Sequence, residues 1–88
     1  MPSKTVEMKN RRGLHARASA RFVTLASQLP AAVEVEKDGS RVCGTSIMGL
    51  MMLGAAMGDC ITIHAQGDGA DEAVAALIQL VEDRFGED

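Results

Sequence analysis

Four short stretches of this chain alternate apolar and polar residues, so each can bury one face and only one. Ser3 to Met8 sets Val6 and Met8 against Thr5 and Glu7, and Ala32 to Lys37 sets Val33 and Val35 against Glu34 and Glu36. Ser40 to Cys43 follows, and Cys60 to Gln66 sets Ile61, Ile63 and Ala65 against Thr62, His64 and Gln66. A period of two marks a half-buried strand. Asp38-Gly39, between the second and third stretches, is the pair that best fits a two-residue hairpin turn.

The exposed halves of such strands need no cover, but the apolar halves do. Ala18, Phe22, Leu25, Ala26 and Leu29 recur at spacings of three and four, which predicts a helix from Ala16 to about Leu29, stopped by Pro30. Ser46 precedes the apolar run Ile47 to Leu53 and is expected to cap a short helix that Gly54 ends. Beyond the turn Gly67-Asp68-Gly69 a last helix is expected to about Arg84. Val74, Leu77, Ile78, Val81 and Phe85 form its core stripe, and Asp71 and Glu72 lie near its positive end. The predicted order is β-α-β-β-α-β-α. The predicted class is α+β, an open two-layer sandwich whose antiparallel or mixed sheet is covered on one side.

A chain of 88 residues buries only roughly 60% of its unfolded surface, so one domain over residues 1–88 is expected, with no second core. With two Phe and no Trp or Tyr, that core must be aliphatic and Met-rich. The longest apolar run, Ile47 to Met57, falls well short of the ~20 residues of a membrane span, and the start lacks a charged segment followed by an apolar one. A soluble, unprocessed protein without membrane insertion is expected. Cys43 and Cys60 lack metal-type spacing and are too few for a disulfide framework, which predicts buried free thiols in a reducing cytosol.

The net charge of −3 hides an asymmetry. Lys4, Lys9, Arg11, Arg12, Arg17 and Arg21 occupy the first quarter, whereas Asp68, Asp71, Glu72, Glu82, Asp83, Glu87 and Asp88 crowd the end. Charge alone reads as solvated surface. The basic cluster, however, surrounds a single histidine. Gly13-Leu14-His15-Ala16-Arg17 places that ring at the boundary between loop and helix. The first-turn N–H groups there lack intrahelical acceptors, and with the positive end of the helix dipole they suit an oxyanion. The same field opposes a second proton on the imidazole and favours its neutral, nucleophilic form. Arg17 adds a cation able to hold phosphoryl oxygens, and Gly13 permits close approach of the backbone. Taken alone, a histidine at a helix start is more often a cap or a surface residue.

The stretch Asn-Arg-Arg-Gly-Leu-His-Ala-Arg-Ala-Ser-Ala, at residues 10–20, resembles the active-site signature of the HPr family, the histidine phosphocarriers of the bacterial phosphoenolpyruvate-dependent phosphotransferase system. Ser46-Ile-Met-Gly-Leu-Met-Met-Leu-Gly54 is similar to the second signature of that family, around its regulatory serine, and Arg84-Phe85-Gly86 fits its ending. The likeness spans the whole chain. It implies four antiparallel strands in the order 1-4-2-3, backed by three helices on one face.

It further implies that His15 is phosphorylated on Nδ1 by the phosphohistidine of enzyme I and passes the group to a histidine of an enzyme IIA protein or domain. Arg17 would stabilise the phosphohistidine, and the backbone at Ala16 and Arg17 would bind its phosphate. The implied protein is a cytoplasmic, monomeric relay with a transient phosphohistidine rather than a free-standing enzyme. It needs no cofactor or metal, because the P–N bond already stores the transfer potential and transfer becomes alignment and charge stabilisation.

Periodicity puts about half of Ile47, Met48, Met51 and Met52 in the core. A short helix apolar all round leaves the others outside, where flexible Met side chains suit several partners. The family likeness makes Ile47, Met48 and Met51 the expected docking residues. Capping suffices to explain Ser46, and the likeness adds phosphorylation there by an ATP-dependent HPr kinase/phosphorylase in many bacteria. Ala18 stands where the family usually has proline. With Asn10-Arg11 it resembles the nitrogen-related NPr branch, implying a regulatory duty rather than sugar uptake.

Three other readings compete with the carrier. An RNA-binding module would stack bases on strand aromatics, and neither Phe22 nor Phe85 falls on a predicted strand, so no nucleic-acid partner is expected. A regulator acting only by contact would use the Met patch and never carry phosphate. A metal chaperone would need closely spaced ligands that Cys43, Cys60, His15 and His64 do not supply, and His64 reads as ordinary polar-face surface.

Overall fold

The computed structural model describes residues 2–87; Met1 and Asp88, the last of the acidic residues noted above, lie outside them. The elements are β1 (Ser3–Glu7), α1 (Ala16–Ser27), β2 (Ala32–Lys37), β3 (Ser40–Cys43), α2 (Ile47–Met52), β4 (Cys60–Gln66) and α3 (Ala70–Glu82), followed by a 3-10 turn, Arg84–Gly86. The strands form one antiparallel sheet in the order β1-β4-β2-β3. The α+β class, the order of elements and the strand order implied by the family likeness are all present.

Register follows the alternation. Val6 pairs with Ile61, and Val35 pairs with both Ile63 and Val42, so the apolar halves of the strands form one continuous face. The hairpin turns at Asp38-Gly39, both in the left-handed region at φ 51° and 84°, as a two-residue connection twisted to match its strands demands. On the apolar face lie the helices. Phe22 from α1, Leu50 from α2, and Leu77 and Val81 from α3 meet Met8, Val35, Ile61 and Ile63 in a core with no solvent access at most of these positions.

Three expectations need correction. Cys43 and Cys60 are exposed, not buried. They sit on the polar half of their strands, Cys60 opposite Glu7 and Cys43 opposite Glu34, where the alternation itself places them. None of Ile47, Met48, Met51 and Met52 is in the core. The six-residue α2 touches the domain along one line only, and Leu50, followed by Leu53, fills it. Finally, α1 and α3 each end about two residues early. Phe85 is fully buried as expected, but from outside α3, because the chain turns through left-handed residues to bring it back.

Candidate functional site

The loop between β1 and α1 is closed by its own side chain. Asn10 is completely buried, and its Nδ2 donates to the carbonyl oxygen of Gly13 (2.8 Å), while the Gly13 N–H donates to the Asn10 carbonyl (3.2 Å). Gly13 holds φ at 62°, and a Cβ there would overlap the Ala55 carbonyl oxygen. That carbonyl accepts the Leu14 N–H at 2.9 Å, so the loop is pinned against the segment before β4. Ser19, also fully buried, ties the other side, its hydroxyl donating to the Leu14 carbonyl at 3.2 Å. The loop therefore delivers His15 to the start of α1 in one orientation.

His15 is the N-cap of α1. Its backbone is extended, and its Nδ1 accepts the Arg17 N–H at 3.2 Å. A ring nitrogen that accepts carries no proton. The proton of the neutral ring therefore belongs on Nε2, which lies 2.9 and 3.2 Å from the two carboxylate oxygens of Glu87. The expected anion site is thus a cap in which the ring's own Nδ1 is the acceptor of a first-turn N–H. The ring is less open than a loop-to-helix junction suggests, with 21% of the side chain exposed, because Glu87 covers its Nε2 edge.

The two residues expected to bind phosphate stand beside that nitrogen. The Ala16 N–H has no backbone acceptor among the described residues, and the Arg17 N–H is held only by the ring. Oxygens of a group attached to Nδ1 would meet both donors at the positive end of the helix. The Arg17 side chain is exposed, and its guanidinium is close enough to act on the charge of Glu87 while making no ion pair among the described residues.

Two contributors escaped the sequence reading. The sequence shows Glu87 only as one of the terminal acids and Asn10 only as part of the stretch that resembles the family signature. A separation of 72 residues between His15 and Glu87 leaves no local pattern that could join them. Asn10 Nδ2 also donates to Glu87 Oε1 at 2.8 Å, so one amide holds both the loop and the carboxylate. Hydrogen bonds from the His15 ring and then from Asn10, with the Arg17 guanidinium nearby, hold the Glu87 carboxyl below its ordinary value against the effect of burial.

Ser46 caps α2 as expected, its Oγ accepting the Gly49 N–H at 3.0 Å. Next to it, Ile47 and Met51 are each 40% exposed and Met48 is 68% exposed; Met52 and Met57 continue the apolar surface. Because α2 packs on α1, this patch and the His15 cap belong to neighbouring helices. His64 is bonded away from the site, its Nε2 lying 2.8 Å from Glu36 on the adjacent strand. No helix among the described residues is long and apolar enough to cross a membrane.

Comparison with known proteins bears on the same segment. The family model for the PTS HPr component phosphorylation site matches residues 2–83. The chain is 48% identical over 87 residues to the phosphocarrier protein HPr of Neisseria meningitidis serogroup B, covering 99% of this chain and 98% of that one. It is 43% identical over 88 residues to the HPr of Pseudomonas aeruginosa, at 99% and 98% coverage. A crystal structure of HPr-C-His from Thermoanaerobacter tengcongensis superimposes with a TM-score of 0.95 at 45% identity, covering 100% of this chain and 99% of that one.

Proposed function

The chain belongs to the HPr family of phosphocarriers of the phosphotransferase system, and from that premise we propose that Nδ1 of His15 carries the phosphoryl group. Enzyme I is the donor, through its own phosphohistidine, and a histidine of an enzyme IIA protein or domain is the acceptor. One observation carries this reading: Nδ1 accepts the Arg17 N–H at 3.2 Å and so already faces the start of the helix. When phosphate arrives, its oxygens replace the ring as acceptor of the Arg17 N–H and gain that of Ala16. Arg17 supplies a cation as charge moves between partners.

The whole chain acts as one such domain, working in the cytoplasm as a monomer and needing no cofactor or metal. Ile47, Met48 and Met51 form the surface on which successive partners dock, since three exposed large apolar side chains beside the site are costly to leave in water. Ser46 is a regulatory phosphorylation site for an HPr kinase/phosphorylase; charge added there repels partners approaching the adjoining patch. Ala18, with Asn10-Arg11, favours regulatory duty over sugar uptake.

The test is incubation with phosphoenolpyruvate and enzyme I. Acid-labile, base-stable phosphate should form on the wild-type chain and be absent from a folded His15→Ala variant. Label that persists in the variant places the phosphate elsewhere. For Ser46, ATP and the cognate kinase should give acid-stable phosphate, and none with an active kinase removes that role.

A further inference from the structure

Arg84, Phe85 and Gly86 are three consecutive residues in the left-handed region, at φ 57°, 55° and 75°. Two of them carry side chains, for which that conformation is strained. The strain is held in place by the complete burial of Phe85 and by the Arg21 guanidinium, which donates to the Phe85 carbonyl. Its visible consequence is the next residue: Glu87 is turned back onto the ring of His15. Asn10 bears a matching cost. Both hydrogens of its buried amide are committed, to Gly13 and to Glu87, and its Oδ1 is left buried with no partner. Rotating the amide to satisfy that oxygen would set it against the carboxylate. Strained backbone and an orphaned amide oxygen thus converge on holding one carboxylate at Nε2.

A phosphoryl group on Nδ1 gives the ring a positive charge as long as Nε2 keeps its proton. In that form the ring leaves as neutral imidazole, whereas a ring that has lost the proton must leave as imidazolate, a far poorer leaving group. Resting on the carrier reading above, we propose that Glu87, braced by Asn10, is a positioning residue that retains the Nε2 proton throughout the transfer cycle. On loading, the P–N bond of the donor phosphohistidine breaks as the Nδ1 lone pair forms the new P–N bond. The Nε2 proton stays, and the positive charge of the ring is paired with Glu87. On unloading, the P–Nδ1 bond breaks toward the acceptor histidine, the electron pair returns to Nδ1, and the ring recovers its starting tautomer. No proton enters or leaves this chain. Among the described residues, the charged groups around the ring are Glu87 from the tail and Arg17 from the first turn of α1; Asn10, from the loop, is neutral.

Phosphoramidate phosphorylates histidine without a partner protein, so the role of Glu87 is separable from that of enzyme I. The phosphorylated wild type, Glu87→Gln and Asn10→Ala are titrated by ³¹P and ring ¹⁵N NMR. Glutamine keeps the shape and the accepting oxygen but not the charge. The pH at which the phosphorylated ring loses its Nε2 proton should therefore fall by about one unit or more in Glu87→Gln. In Asn10→Ala it should fall by less. The pH above which phosphate transfer to an acceptor declines should move with it. Equal midpoints in the wild type and Glu87→Gln overturn the proposal. Failure of the wild type to take label from phospho-enzyme I, despite chemical phosphorylation, instead defeats the carrier reading on which it rests.

Discussion

Gly13 stands at a position that tolerates no side chain, both for its left-handed backbone and for its contact with Ala55. Gly13→Ala combines a strained conformation with overpacking, so it should cost at least about 2 kcal/mol. A lowered denaturant midpoint at unchanged slope measures this; an unchanged midpoint would mean the loop is not pinned as described. Glu87 makes a prediction of a different kind. Its carboxyl is depressed in the folded state, so the stability it contributes is fully present above the ordinary glutamate value of about 4.3 and is lost as pH falls through the depressed one. The side-chain carboxyl ¹³C signal of Glu87 should therefore titrate below that of an unfolded reference. A midpoint at or above the reference would show that the carboxylate does not meet the ring and Asn10.

At the scale of elements, much was legible because it is local. Alternation found all four strands, Asp38-Gly39 found the hairpin, and Ser46 was recognised as a cap before its bond to Gly49 was visible. Ser46→Ala should cost about 1 kcal/mol through loss of that bond alone, seen as a small fall in thermal midpoint; no fall would mean α2 is held entirely by Leu50 and Leu53. The exposure of the thiols follows from the same alternation, which sets Cys60 on the polar half with Thr62 and His64, whereas the number of cysteines says nothing about which face a thiol takes. The methionines were misplaced because periodicity says which residues share a face, not how narrow the contact line of a six-residue helix is. Asn10 and Glu87 were out of reach for a stronger reason. Their meeting depends on three left-handed residues after α3, and of these only Gly86 signals its conformation. The place of His15 at the start of α1 is legible in Gly13-Leu14-His15-Ala16-Arg17, and only the family likeness singles it out as a carrier; the covering of its ring by the tail is not legible.

At the scale of the molecule, one apolar sheet face carries three helices, and the other face is left open with Thr5, Glu34, Glu36, Thr62 and His64 upon it. Both phenylalanines are consumed by the core, so the open face offers no aromatic platform for bases, and it carries the acidic Glu7, Glu34 and Glu36. Phe22 of α1 is fully buried in the shared core, and Phe22→Ala should destabilise by about 3–5 kcal/mol in equilibrium unfolding. A cost under ~1 kcal/mol would contradict the packing. The architecture separates tasks by place: the sheet and α3 supply rigidity, α2 presents apolar surface, and the junction of the β1–α1 loop with the tail holds the ring. The account stands on which ring nitrogen is free to react. Ring ¹⁵N NMR of the chain phosphorylated by enzyme I and phosphoenolpyruvate measures that directly. Phosphorus coupling to Nδ1 of His15, with Nε2 still protonated, is the predicted result; phosphate on Nε2, or on any other residue, would contradict it.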